Sequence, residues 1–366
     1  MPPIRILVVD DSLVMRKVVS DALKTDLAFD VVGTAGDGRI ALLRIATLQP
    51  NVVVLDVTMP VMGGLETLAA IKKDYPQIRV FMFSTLTGRG AAETLDALAL
   101  GASDYATKPT QSGSLAKSID AIQKDLIPKI KAICGLTEVA FPTPFPLFAG
   151  TRVPAKRIEI VAIGTSTGGP NALAELIPQL PADFPVPVVI VQHMPATFTG
   201  LLAERLARTA KISVAEGKVG SVLVPGQAWI APGNFHMTVA GNAGWEKNWR
   251  LGLNQNDSEH SCRPAVDVLF RTAAAAGGAG VLGVVMTGMG ADGVQGAREI
   301  RDAGGEVIVQ DQASSVVWGM PGSVCAAGQA DAVYPLSELA AEITRRVLYK
   351  RVMHTAAAAA APNLAK

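Results

Sequence analysis

Residues 4–12 read IRILVVDDS, an apolar run from Ile6 to Val9 that stops on Asp10 and Asp11. Continuous Val/Ile/Leu runs of this length are the mark of strands buried on both faces, and polar residues at their ends sit where such sheets bind ligands. The pattern recurs at Phe29–Thr34, Val52–Leu55, Arg79–Phe83 and Asp104–Thr107, mostly separated by helix-length stretches. Strands alternating with helices predict a doubly wound parallel sheet, which we assign to residues 1–133. The texture then changes at residues 141–146, FPTPFP, where the prolines exclude helix and leave few donors for a sheet ladder. Residues 134–157 therefore read as a linker. A second α/β pattern follows over residues 158–350, with strands expected at Ile158–Ile163, Val186–Gln192, Ala228–Ala231, Val281–Thr287 and Glu306–Gln310. Helices are expected at Pro170–Leu180 and Val294–Ala303, and the alanine-rich residues 351–366 are expected to be a disordered tail.

Composition agrees with two α/β domains. The chain has 366 residues, against a norm of about 150 per domain. It carries 33 Lys+Arg against 32 Asp+Glu, so no net field draws it to nucleic acid or to an anionic membrane. Hydrophobic residues make up 49%, which excludes disorder across the whole chain. Cys134, Cys262 and Cys325 are too scattered for a disulfide framework or a zinc site, and free thiols point to a reducing cytoplasm. The run Ile6–Val9 is too short, and too acidic after it, for a signal peptide. Residues 272–291 carry no charge, but six glycines make them a helix end, a strand and a loop rather than a membrane span.

In a sheet of order 2-1-3-4-5 the first and third strands are neighbours, so Asp10, Asp11 and Asp56 converge at the switch point. Any one of them would pass as a helix cap or turn residue. Together they repel one another unless a divalent cation is present, and oxygen ligands suit Mg²⁺. Ser84 and Lys108, after the fourth and fifth strands, bring a hydroxyl and a cation to the same rim. With VVDDS, LDVTMP and TKP in place, the first half resembles a two-component receiver domain, hence a flavodoxin-like fold. The resemblance implies Asp56 as phospho-acceptor, Asp10, Asp11 and Asp56 as Mg²⁺ ligands, Ser84 and Lys108 as phosphoryl contacts, Tyr105 as a rotamer switch, and a histidine kinase as phosphodonor. Thr58 and Gly63 depart from the usual pattern of that family.

In the second half GTSTGGP, residues 164–170, joins a strand to a helix. A serine there is exposed beside free helix N–H groups, which would stabilise an oxyanion. A phosphate loop is the alternative, but the stretch has no lysine. Ser166 needs a base, and of four histidines His193 follows a strand and so emerges at the same sheet edge, with His260 in reserve. Asp292, in the loop after Val281–Thr287, is placed to orient the imidazole. That loop, with Gly288, Gly290 and Gly293, also satisfies a dinucleotide fingerprint, with Asp311 at about the distance of a ribose-binding acid. Against this, Asp292 would put a charge inside the pyrophosphate turn. The order Ser166, His193, Asp292 differs from the Ser, acid, His order of α/β-hydrolases.

GTSTGGP, QHMP, TGMGADG and QDQASSVVWGMPG, in this order, make the second half similar to the catalytic domain of the chemotaxis protein-glutamate methylesterases, with a Rossmann-like sheet. The resemblance implies hydrolysis of glutamate methyl esters on the cytoplasmic helices of chemoreceptors, with release of methanol, and deamidation of some glutamines. It assigns Ser166 as nucleophile, His193 as general acid and base, and Asp292 as its partner, with Thr167 and Met289 N–H groups as oxyanion donors. No cofactor is implied for the esterase reaction, no nucleic acid as partner and no membrane insertion. Gln312 stands where the family often has an acid. Domain order implies that phosphorylation governs the esterase. The rival readings are a receiver joined to a non-catalytic interaction module and a nicotinamide-dependent oxidoreductase.

Overall fold

A computed structural model describes residues 2–109, 115–136, 157–241 and 248–359. Contacts divide the chain into two units, Met1–Glu138 and Val139–Lys366. The first unit contains β1 (Ile4–Val9), α1 (Leu13–Lys24), β2 (Phe29–Ala35), α2 (Gly38–Leu48), β3 (Val52–Asp56), α3 (Gly64–Asp74), β4 (Arg79–Ser84), α4 (Gly88–Ala99), β5 (Asp104–Thr107) and α5 (Leu115–Ile133). Its five strands are parallel in the order β2-β1-β3-β4-β5. Val9 pairs with Leu55, and Asp56 with Phe83, so Asp10 and Asp56 finish side by side. Every residue of β3 is buried, as a strand covered on both faces requires. Ile6, Val8, Phe81, Phe83 and Leu126 form the core on one face, where each such side chain contributes about 1.5–3 kcal/mol.

The second unit contains β6 (Ile160–Thr165), α6 (Gly169–Leu176), β7 (Val188–Gln192), α7 (Ala196–Ala207), β8 (Ser213–Glu216), β9 (Gln227–Ile230), β10 (His236–Ala240), β11 (Arg250–Asn254), α8 (Val266–Gly277), β12 (Val281–Val285), α9 (Val294–Asp302), β13 (Glu306–Gln310), α10 (Gly319–Ala326), β14 (Ala332–Tyr334) and α11 (Leu336–Ala359). Seven parallel strands run in the order β14-β13-β12-β6-β7-β9-β8, and β10 pairs with β11 in an antiparallel ribbon. The strand β6 thus lies between β12 and β7, and the loops after these three strands open on one edge.

Several expectations need correction in detail. The helix expected over Pro170–Leu180 ends at Leu176 and tightens into a 3₁₀ turn, Ile177–Gln179, because Pro178 lacks the N–H that would continue it. The strands β8, β10, β11 and β14 went unread: β14 is three residues long, and β10 and β11 interleave polar residues with apolar ones. The expected disordered tail, 351–366, is helical as far as Ala359, since alanine is the best helix former; residues 360–366 lie outside the described residues. Most of the expected linker, 137–156, also lies outside them. Among the described residues no helix is long and apolar enough to cross a membrane; residues 272–291 are the end of α8, β12 and the loop after it.

Candidate functional site

The edge of the first sheet gathers the acids where the sequence placed them. Lys108 Nζ lies 2.7 Å from Asp10 Oδ2 and 2.8 Å from Asp56 Oδ2, and both carboxylates are buried. Burial pushes the Asp56 carboxyl up to about 6; Lys108 pulls the other way, and Asp10 adds to the rise. One cation therefore faces two buried carboxylates with Asp11 exposed beside them, and a negative charge is left over. Oxygens of Asp10, Asp11 and Asp56 lie within 4.8 Å of one another, a hard-donor set that fits Mg²⁺. An open cleft of about 220 Å³ lies beside Asp56, lined also by Asp11, Thr58, Ser84, Thr85 and Lys108. The Ser84 hydroxyl donates to Gly90 O at 3.0 Å, which holds it at the rim. Tyr105 is buried, and Lys129 Nζ stands 5.0 Å above its ring.

In the second unit Thr165 pairs with Gln192, so Ser166 and His193 are the first residues beyond two paired strands. Gln192 ties them together: its Nε2 donates to Ser166 O at 2.9 Å and to His193 O at 3.2 Å. The Ser166 turn is fastened on its other side, where Ser166 N–H donates to Thr287 O at 3.0 Å and Thr287 Oγ1 donates to Thr167 O at 2.9 Å. Gly168 closes the turn at φ +79°, left-handed backbone that favours glycine. The N–H groups of Thr167 and Met289 have no acceptor among the described residues.

His193 Nε2 lies 2.8 Å from Asp292 Oδ2, and Cys262 also contacts the imidazole. Asp292 is 1% exposed and is held by two backbone donors at the start of α8, Val266 N–H at 2.7 Å to Oδ2 and Asp267 N–H at 2.9 Å to Oδ1. This clamp depends on Gly164. A Cβ there would stand 2.3 Å from Val266 Cγ1, so only glycine lets α8 seat its first turn against β6. Burial pulls the His193 imidazole down, but Asp292 and Cys262 outweigh it and hold it above its ordinary value. Burial raises the Asp292 carboxyl, yet His193 and the two N–H groups bring it below the usual carboxylate range.

Ser166 Oγ and His193 share no hydrogen bond among the described residues. Such bonds are often unformed without substrate and tighten when it binds. The reserve base, His260, bonds Asp267 at 2.8 Å instead. Asp311, the acid of the dinucleotide reading, accepts from Ser314 N–H at 3.0 Å within its own turn. Sequence reasoning missed Cys262 on the imidazole, the Val266–Asp267 clamp, and Gln310, whose Oε1 accepts Thr287 N–H at 2.8 Å.

Comparison with known proteins fits this geometry. Residues 6–120 match the response regulator receiver domain, and residues 161–343 match the family described as CheB methylesterase. The chain belongs to the CheB methylesterase family. A protein-glutamate methylesterase/protein-glutamine glutaminase of Trichodesmium erythraeum is 51% identical over 354 residues, covering 95% of this chain and 100% of that protein. One of the same description from a Nocardioides species is 48% identical, covering 96% of this chain and 97% of its own. The crystal structure of the Thermotoga maritima CheB methylesterase catalytic domain is 40% identical, covering 52% of this chain and 99% of that one at a TM-score of 0.49. Within the methylesterase unit, the matched segment contains Ser166, His193 and Asp292 together.

Proposed function

We propose that this chain is a phosphorylation-controlled serine esterase that hydrolyses glutamate methyl esters, and deamidates some glutamines, on the cytoplasmic helices of chemoreceptors. The observation that carries the chemistry is the His193–Asp292 pair beside the Ser166 turn, at an edge where two backbone N–H groups have no acceptor. Ser166 Oγ attacks the ester carbonyl carbon while its proton passes to His193. The N–H groups of Thr167 and Met289 receive the oxyanion, each worth about 10²–10³ in rate. Collapse breaks the bond to methoxide, which leaves as methanol with the proton from His193. Water, deprotonated by His193, then attacks the acyl-serine, and His193 returns that proton to Ser166 Oγ as the C–Oγ bond breaks and glutamate is released. Asp292 holds the imidazole in one tautomer and balances the charge it gains.

In the receiver, Asp56 is the phospho-acceptor, and Ser84 and Lys108 contact the phosphoryl group. Asp10, Asp11 and Asp56 would hold Mg²⁺, which neutralises charge on the incoming phosphoryl oxygens. On this reading residues 1–133 are the receiver, 134–157 the connection and 158–350 the catalytic domain, and the protein works in the cytoplasm with a chemotaxis histidine kinase as phosphodonor. Methanol release from methylated receptor membranes tests the reading. Release should rise with a small phosphodonor in the wild type and stay flat in Asp56→Asn. Failure to release methanol under either condition would reject it.

A further inference from the structure

Behind Asp292 stands a second histidine–carboxylate pair. Asp267, the second residue of α8 and 1% exposed, contacts His260 Nε2 through Oδ2 at 2.8 Å and accepts Gly296 N–H on Oδ1 at 2.7 Å. Its own N–H donates to Asp292 Oδ1 at 2.9 Å. One side chain thus ties α8 to α9, to the loop before α8 and, through its backbone, to the catalytic acid. One ligating atom each from His260, Asp267 and Asp292 lies within 4.8 Å of the other two. Two carboxylates this close and this dry repel each other, and a neutral acceptor would have satisfied Gly296 N–H without that cost.

We propose that Asp267 is a positioning residue of the esterase: it seats the α8 N-terminus so that two N–H groups reach Asp292, and its charge strengthens the hold of His193 on its proton. The inference rests on His193 and Asp292 as the catalytic pair. The neighbours on every side favour it. Asp292 faces Asp267 from the loop before α9, and Glu299 lies on α9 itself. Along α8, Arg271 is engaged by Glu259 at 2.6 Å and also interacts with Asp267 at longer range. His260, half open to solvent, is the cation-forming group in contact with Asp267, while Cys262 and Asp292 attend His193. Burial and Asp292 push the Asp267 carboxyl above its ordinary value, while Gly296 N–H and His260 favour its ionised form. Asp292 alone of the two carboxylates touches the imidazole, and Asp267 stands directly behind Asp292, so charge on both favours an imidazolium.

Asp267→Asn keeps an acceptor for Gly296 N–H and removes the charge. In the full chain, with methanol release from methylated receptor membranes measured against pH, the rising limb of kcat/KM should move to lower pH by roughly half a unit or more. Asp267→Ser, with a smaller uncharged acceptor, should move it the same way. A residue that only braces the fold would lower the plateau and leave the limb in place. An unshifted limb in both variants, or in whichever one folds as judged by thermal unfolding, overturns the proposal. Ser166→Ala measured alongside separates the two ideas: turnover that survives it removes the catalytic assignment itself, whatever the limbs do.

Discussion

The two units build sites at the same place, the carboxyl edge of a parallel sheet, by opposite electrostatic means. The receiver edge is left short of positive charge: Lys108 is shared by Asp10 and Asp56, and Arg16 reaches only the backbone carbonyls of Asp10 and Asp11, so the Asp11 carboxylate has no ion pair among the described residues. At the esterase edge the acid and imidazole are already assembled. Asp292 has both oxygens engaged, by His193, Val266 N–H and Asp267 N–H. A site that awaits a cation and a phosphoryl group suits a signal that comes and goes. A site wired in advance suits repeated chemistry, because dipoles already in place cost no reorganisation in the transition state.

The contrast predicts graded losses. The largest belongs to Ser166→Ala, which should cut methanol release about 10⁴-fold or more; residual turnover within about tenfold of wild type would remove Ser166 as nucleophile. Asp292→Asn should cost on the order of 10³–10⁴ in kcat. It should also lower the pH of the activity limb, because the base must be neutral and Asp292 holds the imidazole's pKa above its ordinary value. Steady-state kinetics across pH check both effects. Gly164→Ala forces Val266 off β6 and should lose about 1–3 kcal/mol of stability, with kcat falling further than a stability loss explains, since the clamp on Asp292 moves with α8. Thermal unfolding and kinetics on the same sample separate these.

The smallest effect falls on the receiver. A carboxyl whose folded pKa is raised gives stability that is present below its ordinary value of 3.8 and lost as pH rises toward about 6. At neutral pH Asp56→Asn should therefore stabilise the receiver, by on the order of 2 kcal/mol, and the gain should vanish near pH 3. Mg²⁺ should stabilise the wild type more than this variant. Denaturant unfolding at the two pH values, with and without Mg²⁺, gives the sign.

What the sequence made legible follows the same division. Asp10, Asp56 and Ser84 each end an unbroken apolar run and Lys108 follows the short β5, so their convergence could be read from strand order. Ser166 and His193 were legible for the same reason. The clamp was not, because its donors are backbone N–H groups of Val266 and Asp267, and a peptide N–H leaves no trace in residue type. Nor was the need for Gly164, which lies in Val266 meeting the strand some hundred residues away in the chain. The ribbon of β10 and β11 escaped notice because polar His236, Thr238, Arg250 and Asn254 interrupt its apolar positions.

The central claim is that Ser166 is an activated nucleophile. Labelling the full chain with a serine-reactive phosphonate, followed by peptide mass mapping, tests it most directly. The account predicts a single adduct on Ser166 that halts methanol release in proportion to its formation, and no adduct in His193→Ala. An adduct elsewhere, or methanol release that continues with Ser166 fully modified, would contradict it.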